Sequence, residues 1–226
     1  MSEIQWQYIF DPALAIDNFS YILKGLGYTL GISLSSMVFG TIVGFLLAIM
    51  RMSNSKSLSI IARTYISFMR GTPILVFLFI LYFGFPFIGI QFEAVNAAII
   101  GFSLNSAAYS AEIIRAALHS VDHGQWEAAY ALGLKWPFIM RKVIIPQAMR
   151  LAIPPMSNVM LDLIKGTSLA AMITVPEIFQ QAKIVGGREF DYMTMYILVA
   201  LIYWAICSVF TIFQRYLEKK ASIYIN

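Results

Sequence analysis

Leu26 to Met50 reads LGYTLGISLSSMVFGTIVGFLLAIM, twenty-five positions without a charged side chain. Roughly 20 mostly apolar residues of helix cross the ~30 Å hydrocarbon layer of a bilayer, where a backbone must satisfy its own hydrogen bonds. The stretch therefore reads as a transmembrane helix. Four further segments share its character, approximately Tyr65 to Phe87, Ala94 to Leu118, Met149 to Val175 and Met193 to Phe213. In the fourth, Pro154 and Pro155 near the start and Gly166 near the end predict a kinked or broken helix. The predicted fold class is an all-α integral membrane protein of five transmembrane helices, a single transmembrane domain over residues 1–226.

Composition agrees. Of 226 residues 59% are apolar and only 12% charged, with a mean hydropathy of +0.73, values outside the range of soluble domains. The one cysteine, Cys207, lies inside an apolar stretch, which excludes an internal disulfide framework and a cysteine metal cluster. Met1 to Asn18 carries Glu3, Asp11 and Asp17 and lacks the basic start and small-residue cleavage site of a signal peptide, so the first apolar segment is expected to be retained.

Basic residues of short loops stay cytoplasmic. Arg51, Lys56 and Arg63 lie between the first and second spans; Lys135, Arg141, Lys142 and Arg150 lie between the third and fourth, against Asp122 and Glu127. The tail adds Arg215, Lys219 and Lys220 against Glu218. On the opposite side Glu3, Asp11, Asp17, Glu93, Glu177, Glu189 and Asp191 outnumber Lys24, Lys183 and Arg188. The N-terminus is predicted outside and the C-terminus in the cytoplasm. The net charge of +4 is accounted for by this topology, which leaves nucleic acid without support as a partner. Gly27 and Gly31, then Gly40 and Gly44, give two small-xxx-small spacings suited to close helix approach.

The longest cytoplasmic loop, about residues 119–147, continues to Arg150 and reads HSVDHGQWEAAYALGLKWPFIMRKVIIPQAMR from His119. Trp126, Ala129, Tyr130 and Gly133 recur at helical spacing, so Gln125 to Leu132 is predicted as a short amphipathic helix ended by Gly133. Pro137 suits the first turn of a second short helix, Phe138 to Ile145, and Pro146 marks the turn into the fourth span. Trp126 and Tyr130 beside Glu127 give apolar anchors in a charged rim, the anatomy of a docking surface. A helix lying on lipid headgroups with nothing docked has the same amphipathicity.

Glu127-Ala128-Ala129, three residues, Gly133, nine residues and Val143-Ile144-Ile145-Pro146 resemble the EAA loop of bacterial ABC-importer permeases, EAA-x3-G-x9-I-x-L-P, with Val143 and Ile145 as conservative departures. Arg70-Gly71-Thr72-Pro73, Asn105 to Tyr109, Ala111 to Arg115, Gly124-Gln125 and Pro146-Gln147-Ala148 resemble the polar amino acid branch of that family. Ser157-Asn158, Lys165 to Ala170 and Pro176-Glu177 look most like its cystine-type permeases. The resemblance spans roughly residues 27–214. It implies the type I ABC importer permease fold, in the bacterial cytoplasmic (inner) membrane, as a homodimer or paired with a similar chain. It implies cytoplasmic ABC ATPase subunits that carry ATP and Mg, an extracytoplasmic solute-binding protein, and an amino acid as cargo. Trp126, Glu127, Ala128, Ala129, Tyr130 and Gly133 would then dock the ATPase, with Glu127 anchoring the helix and Gly133 allowing the turn. The chain contains no G-x-x-x-x-G-K-[ST] phosphate loop, so it is expected to hold no cofactor and to be a transport subunit, not an enzyme.

Ionisable residues in spans are functional suspects. Glu112 and Arg115, three apart near the end of the third span, can pair in a structural or gating role. Arg70 precedes the Gly71-Thr72-Pro73 break, where it could cap exposed carbonyls or line the pathway. Asn158, Asp162 and Lys165 share one helical face. Asp162 and Lys165 either neutralise one another or line a cavity, meeting the α-ammonium and α-carboxylate of an amino acid. Asn105 and Tyr109 could complete that cavity, with Ser106, Thr167 and Ser168 as weaker candidates. Gly166 stands where many members of the branch carry an acid, which argues against a basic cargo and for a neutral zwitterion, cystine among the candidates. His119 and His123 have no partner at ligand spacing and read as solvated. Two other classes compete. A proton- or ion-coupled secondary transporter would use Asp162 and Lys165 as its coupling pair, but such folds carry two related halves and no repeat is visible. A membrane-embedded enzyme would need a nucleophile–base or metal cluster that the residues do not supply.

Overall fold

The structure is a computed structural model that describes residues 9–222; Glu3 of the charge tally lies outside them. Among the described residues it is all helix: α1 (Pro12–Leu23), α2 (Leu26–Met52), α3 (Lys56–Gly71), α4 (Ile74–Phe79), α5 (Ala94–His119), α6 (His123–Ala131), α7 (Trp136–Ile139), α8 (Ile145–Gly166), α9 (Ile178–Glu189) and α10 (Tyr192–Ser222). A π turn at Ile80–Gly84 and a 3-10 turn at Phe85–Ile88 extend α4; a second π turn, Met140–Ile144, joins α7 to α8, and a 3-10 segment, Thr167–Ile173, continues α8. Leu26–Met52, Ala94–His119 and Tyr192–Tyr216 are each long and apolar enough to cross a membrane. Two interrupted pairs, Lys56–Gly71 with Ile74–Ile88 and Trp136–Ile173 with Ile178–Glu189, raise the count to five if each is one span.

The interruptions correct the sequence-based boundaries. The second segment begins at Lys56, not Tyr65, and breaks where expected: Pro73 disfavours helical geometry in the residue before it, and Thr72 is extended at φ −104°, ψ 131°. Pro154 and Pro155 do not interrupt α8, which runs unbroken to Gly166 before tightening into the 3-10 segment. Pro146 does not turn the chain either. It sits in the first turn of α8, where its missing N–H costs nothing to the α ladder, behind a π turn in which Ile145 N–H reaches Met140 O. The predicted helix Phe138–Ile145 is instead the start of one helical path from Trp136.

By contacts the described chain resolves into two compact units, with four boundaries inside α2, α5, α8 and α10 and a fifth at the break between α3 and α4. The first comprises residues up to Ser36, Ile74–Phe102 and Leu161–Phe210. Its core packs Ala15 and Ile22 of α1, Ile178, Ala182 and Val185 of α9, and Met195, Leu198, Val199 and Ile202 of α10. Neither α1 nor α9 was expected from the apolar-span reading, because both are only 12 residues long, too short to cross a bilayer. Their start signals are nonetheless local: the Asp11 carboxylate accepts from Ala13 N (2.9 Å) and Leu14 N (3.1 Å), ahead of Pro12 in the first turn.

Glu177 caps α9 from a fully buried position, accepting from Phe179 N at 2.9 Å, Gln180 N at 2.7 Å and the Tyr203 hydroxyl at 2.8 Å. Above it the main chain of Glu177 and Ile178 presses against Gly25, which has no side chain to obstruct it. Thr29, one turn on, is buried and offers its hydroxyl oxygen to Ile178 N at 3.5 Å.

The second unit comprises Met37–Pro73, Ser103–Met160 and the chain from Thr211. In it Gly40 and Gly44 of α2 lie against Ser103, Ser106, Ala107 and Ser110 of α5, so this glycine pair lets two helices close up. Gly27 and Gly31 face open space within the chain, so only one of the two predicted spacings is used internally. An apolar cavity of about 450 Å³ opens between α2, α5 and α8, lined by Phe45, Ile114, Met149 and Met156 among others. Its lining offers a zwitterion no counter-charge.

Candidate functional site

The loop between α5 and α8 is a folded element with its own core. Asp122 caps α6, accepting from Gly124 N at 2.7 Å. Gly133, at φ +73°, ends it in the left-handed conformation expected of it, with Gly133 N–H bonded to Tyr130 O and Leu134 N–H to Ala129 O. Beneath lies a cluster of Ala117, Leu118, Val121, Ala129, Ile139, Met140, Ile144 and Ala148. A side-chain hydrogen bond of 3.1 Å from Gln147 to Gln125 ties α6 to the first turn of α8.

This core reorients part of the predicted docking surface. Ala129 is buried and Trp126 half-buried against the cluster, so neither projects as expected: they face the loop's own interior at i and i+3. Glu127, with 78% of its side chain exposed, Ala128 and Tyr130 do face outward. They are joined by Leu132, Trp136 and Phe138, each more than half exposed, which the sequence reading did not single out. The signal was present: three large apolar side chains around a Gly turn, too many to bury beneath a nine-residue helix. His119 and His123 are exposed.

In the second unit Glu112 pairs with Arg115 at 3.2 Å and also with Arg51 from the end of α2, a partner the sequence reading missed because it lies 61 positions away. Arg70 does not cap the carbonyls of the α3 break. That task falls to Asn105, whose side-chain amide donates to Met69 O at 2.9 Å, while Tyr65 donates to Leu104 O at 2.8 Å. The Arg70 guanidinium instead lies 5.5 Å from the centre of the Tyr109 ring. Ser106 is buried against Ser103, and Asn158 on α8 is exposed.

In the first unit Asp162 and Lys165 form an ion pair of 2.9 Å, with 75% and 58% of their side chains exposed. Thr167 turns inward, fully buried, donating to Ile164 O, and Ser168 donates to Lys165 O. Among the described residues no group of three or more His, Cys, Asp or Glu side chains could hold a metal ion.

Comparison with known proteins places this arrangement. Residues 40–223 match the family described as binding-protein-dependent transport system inner membrane component. The chain is 63% identical over 225 residues, the whole of both proteins, to the probable amino-acid ABC transporter permease protein YckA of Bacillus subtilis (strain 168). It is 42% identical to the L-cystine transport system permease protein TcyB of the same organism, over 89% of this chain and 86% of the relative. A crystal structure of an amino acid ABC transporter with histidines superposes with a TM-score of 0.87 at 33% identity, covering 93% of this chain and 98% of that one.

Proposed function

The chain belongs to the binding-protein-dependent transport system inner membrane components, among the amino acid ABC importer permeases, and on that premise we propose how it works. It carries a neutral or polar amino acid across the bacterial inner membrane, N-terminus outside and C-terminus in the cytoplasm. Transport is driven by ATP that a separate ABC ATPase hydrolyses with Mg. The unit of function is the whole transmembrane domain, paired with a second permease chain because five helices scarcely enclose a path, and supplied by an extracytoplasmic solute-binding protein.

The observation that carries this reading is the loop of residues 119–147. An exposed carboxylate and the aromatic side chains of Tyr130, Trp136 and Phe138 stand on a hydrophobic base that is continuous with α5 and α8. A partner gripping Glu127, Ala128 and Tyr130 moves that base as one body, since Trp126 and Ala129 lock the grip to it and Gly133 holds the turn. Glu112, with Arg51 and Arg115, braces the same ends of α2 and α5.

Cystine as cargo is favoured over a basic amino acid by the likeness to the L-cystine transport system permease protein TcyB and by Gly166. An added Cβ at Gly166 would lie 3.4 Å from a Phe102 ring carbon, an ordinary contact, so packing alone does not exclude the acid found in other members. Asn158, Asp162, Lys165, Thr167 and Ser168 on one segment, and Asn105, Ser106 and Tyr109 on another, are the pathway candidates, with the inward-facing Thr167 and Ser106 as supports.

The test is reconstitution with a candidate ABC ATPase and solute-binding protein in proteoliposomes. ATP-dependent uptake is expected, and Glu127→Lys or Gly133→Asp should abolish ATPase co-purification while the permease still folds. Uptake that persists without ATP and collapses with the proton gradient would establish the secondary-transporter reading instead. Asp162→Asn should lower uptake several-fold with ATPase docking intact, because it frees Lys165 from its partner; uptake equal to the parent removes Asp162 from the pathway.

A further inference from the structure

We propose that the apolar cavity between α2, α5 and α8 is a binding site for one acyl chain of an anionic phospholipid of the cytoplasmic leaflet, whose phosphate meets a basic rim at the cavity's end. The site lies beyond the transport reading and takes from it only the orientation of the chain. The walls decide the class of guest. Of the side chains that line the 450 Å³ only that of Thr41 is polar, and its hydroxyl donates to Met37 O at 2.7 Å within α2. No group in the wall demands a polar partner, so hydrocarbon fits where water or a zwitterion does not. Ile42, Leu46 and Met149 are each more than half exposed, which leaves the cavity open along one side. Met149 and Met156, unbranched and flexible, can repack around a bent chain.

Depth and charge decide which hydrocarbon. Thr41 lies about 16 Å along α2 from its end at Met52, half of the ~30 Å hydrocarbon layer. On the other walls Leu118 is the last but one residue of α5, and Ile145 opens α8. The cavity therefore runs from the cytoplasmic boundary to about the midplane, the reach of one leaflet's chain. Its rim is basic: Arg51 ends α2, Arg150 follows the lining Met149, and the exposed Arg141 and Lys142 stand in the π turn that leads into Ile145. Glu112 does not neutralise this rim, since Arg51 and Arg115 share it. Basic pockets between spanning helices on the cytoplasmic side suit anionic head groups. A second copy suits the rim less well, because two-fold pairing across this surface sets the same cations against one another. The cavity is also continuous with the docking loop: Ala117, Leu118 and Ala148 belong both to its wall and to the core beneath α6. A chain seated there packs the back of the base on which Glu127 and Tyr130 stand, and so steadies it.

The experiment places the full chain in nanodiscs with a trace of phosphatidylglycerol that carries a photoactivatable diazirine midway along one acyl chain. Peptides bearing Leu46, Met149 and Met156 should take the label, and a matched phosphatidylcholine probe should label them about tenfold less, the worth of two basic residues near an anionic head group. Lys142→Gln combined with Arg150→Gln should bring the two probes to within about twofold. Ala152→Phe, which fills the cavity from α8, should lose the label with either probe; Ile42→Trp, which narrows the open side, repeats the test should Ala152→Phe fail to fold. Amide hydrogen exchange over residues 117–148 should slow when phosphatidylglycerol replaces phosphatidylcholine around the parent, and should ignore that change in the cavity-filled variant. The proposal falls if the label spreads evenly over the apolar helices, if both probes mark the cavity alike, if the filled variants keep the label, or if exchange in the parent ignores the lipid. It also falls if Met149→Cys on a Cys207→Ser background gives a disulfide-linked pair of chains, which would seat a second copy there. Labelling needs neither ATP nor cargo, so its failure leaves the transport reading standing, and an importer that moves nothing leaves the lipid site standing.

Discussion

Gly25→Val is expected to leave almost no folded protein in the membrane. Gly25 sits between α1 and α2, and the tightest neighbours of a Cβ built there are main-chain atoms of Glu177 and Ile178, with Glu177 O at 2.7 Å. A flexible side chain could swing away from such an intrusion, but main chain at the start of a capped helix cannot. The cost is therefore set by overpacking with no relief, on the order of 3 kcal/mol or more, a large share of a domain's stability. The recovery of a monodisperse peak from solubilised membranes measures it. Gly27→Val is the matched control, since nothing lies within 4 Å of a Cβ there, and it should accumulate like the parent. Equal recovery of the two variants would show that the α2 start does not rest on Glu177.

Glu177→Ala should be nearly as damaging by a different route. Its carboxylate takes three donors in a site closed to solvent, so removal strands the N–H groups of Phe179 and Gln180 and the hydroxyl of Tyr203 together. A lost helix cap costs about 1 kcal/mol and each buried group left unpaired about 1–3, so a loss of roughly 3 kcal/mol is expected. Glu177→Gln keeps an acceptor for the helix start and should recover much of this, and Tyr203→Phe should cost about 1 kcal/mol. Cys207, the one cysteine of the sequence and half-buried in α10, gives a thiol-reactive dye a single site that reports the unfolding midpoint. An unchanged midpoint for Glu177→Ala would mean that water reaches the stranded groups.

The unequal legibility of these features has physical causes. Leu26–Met52, Ala94–His119 and Tyr192–Tyr216 announce themselves by apolar length alone, because a bilayer imposes a length on whatever crosses it. α1 and α9 bury only one face against other helices and so leave no such trace; their marks are the single capping acids Asp11 and Glu177. In the charge tally Glu177 was one of several outside acids, and nothing local to PEIFQ tells a solvated acid from a buried cap. In the loop, the Gly133 turn and a short helix near Gln125 follow from local chemistry, and the structure shows both. Which face of α6 points inward does not follow, since it depends on Ile139 and Ile144 arriving from beyond the turn. For the same reason the pairing of Asp162 with Lys165, three positions apart, was foreseeable as one of two alternatives, but that of Arg51 with Glu112 was not.

The π turn at Met140–Ile144 stores one residue beyond what a regular α path from Trp136 to Gly166 would need. An α-helix turns by roughly 100° per residue, so deleting one residue here would restore even winding and rotate α6 by about that angle relative to α8. Glu127 and Tyr130 would then point along a different azimuth from the one their partner meets. The spacing between the Gly turn and Pro146 is thus a phase setting, and an insertion or deletion within it changes the direction of the grip without altering any residue that makes it.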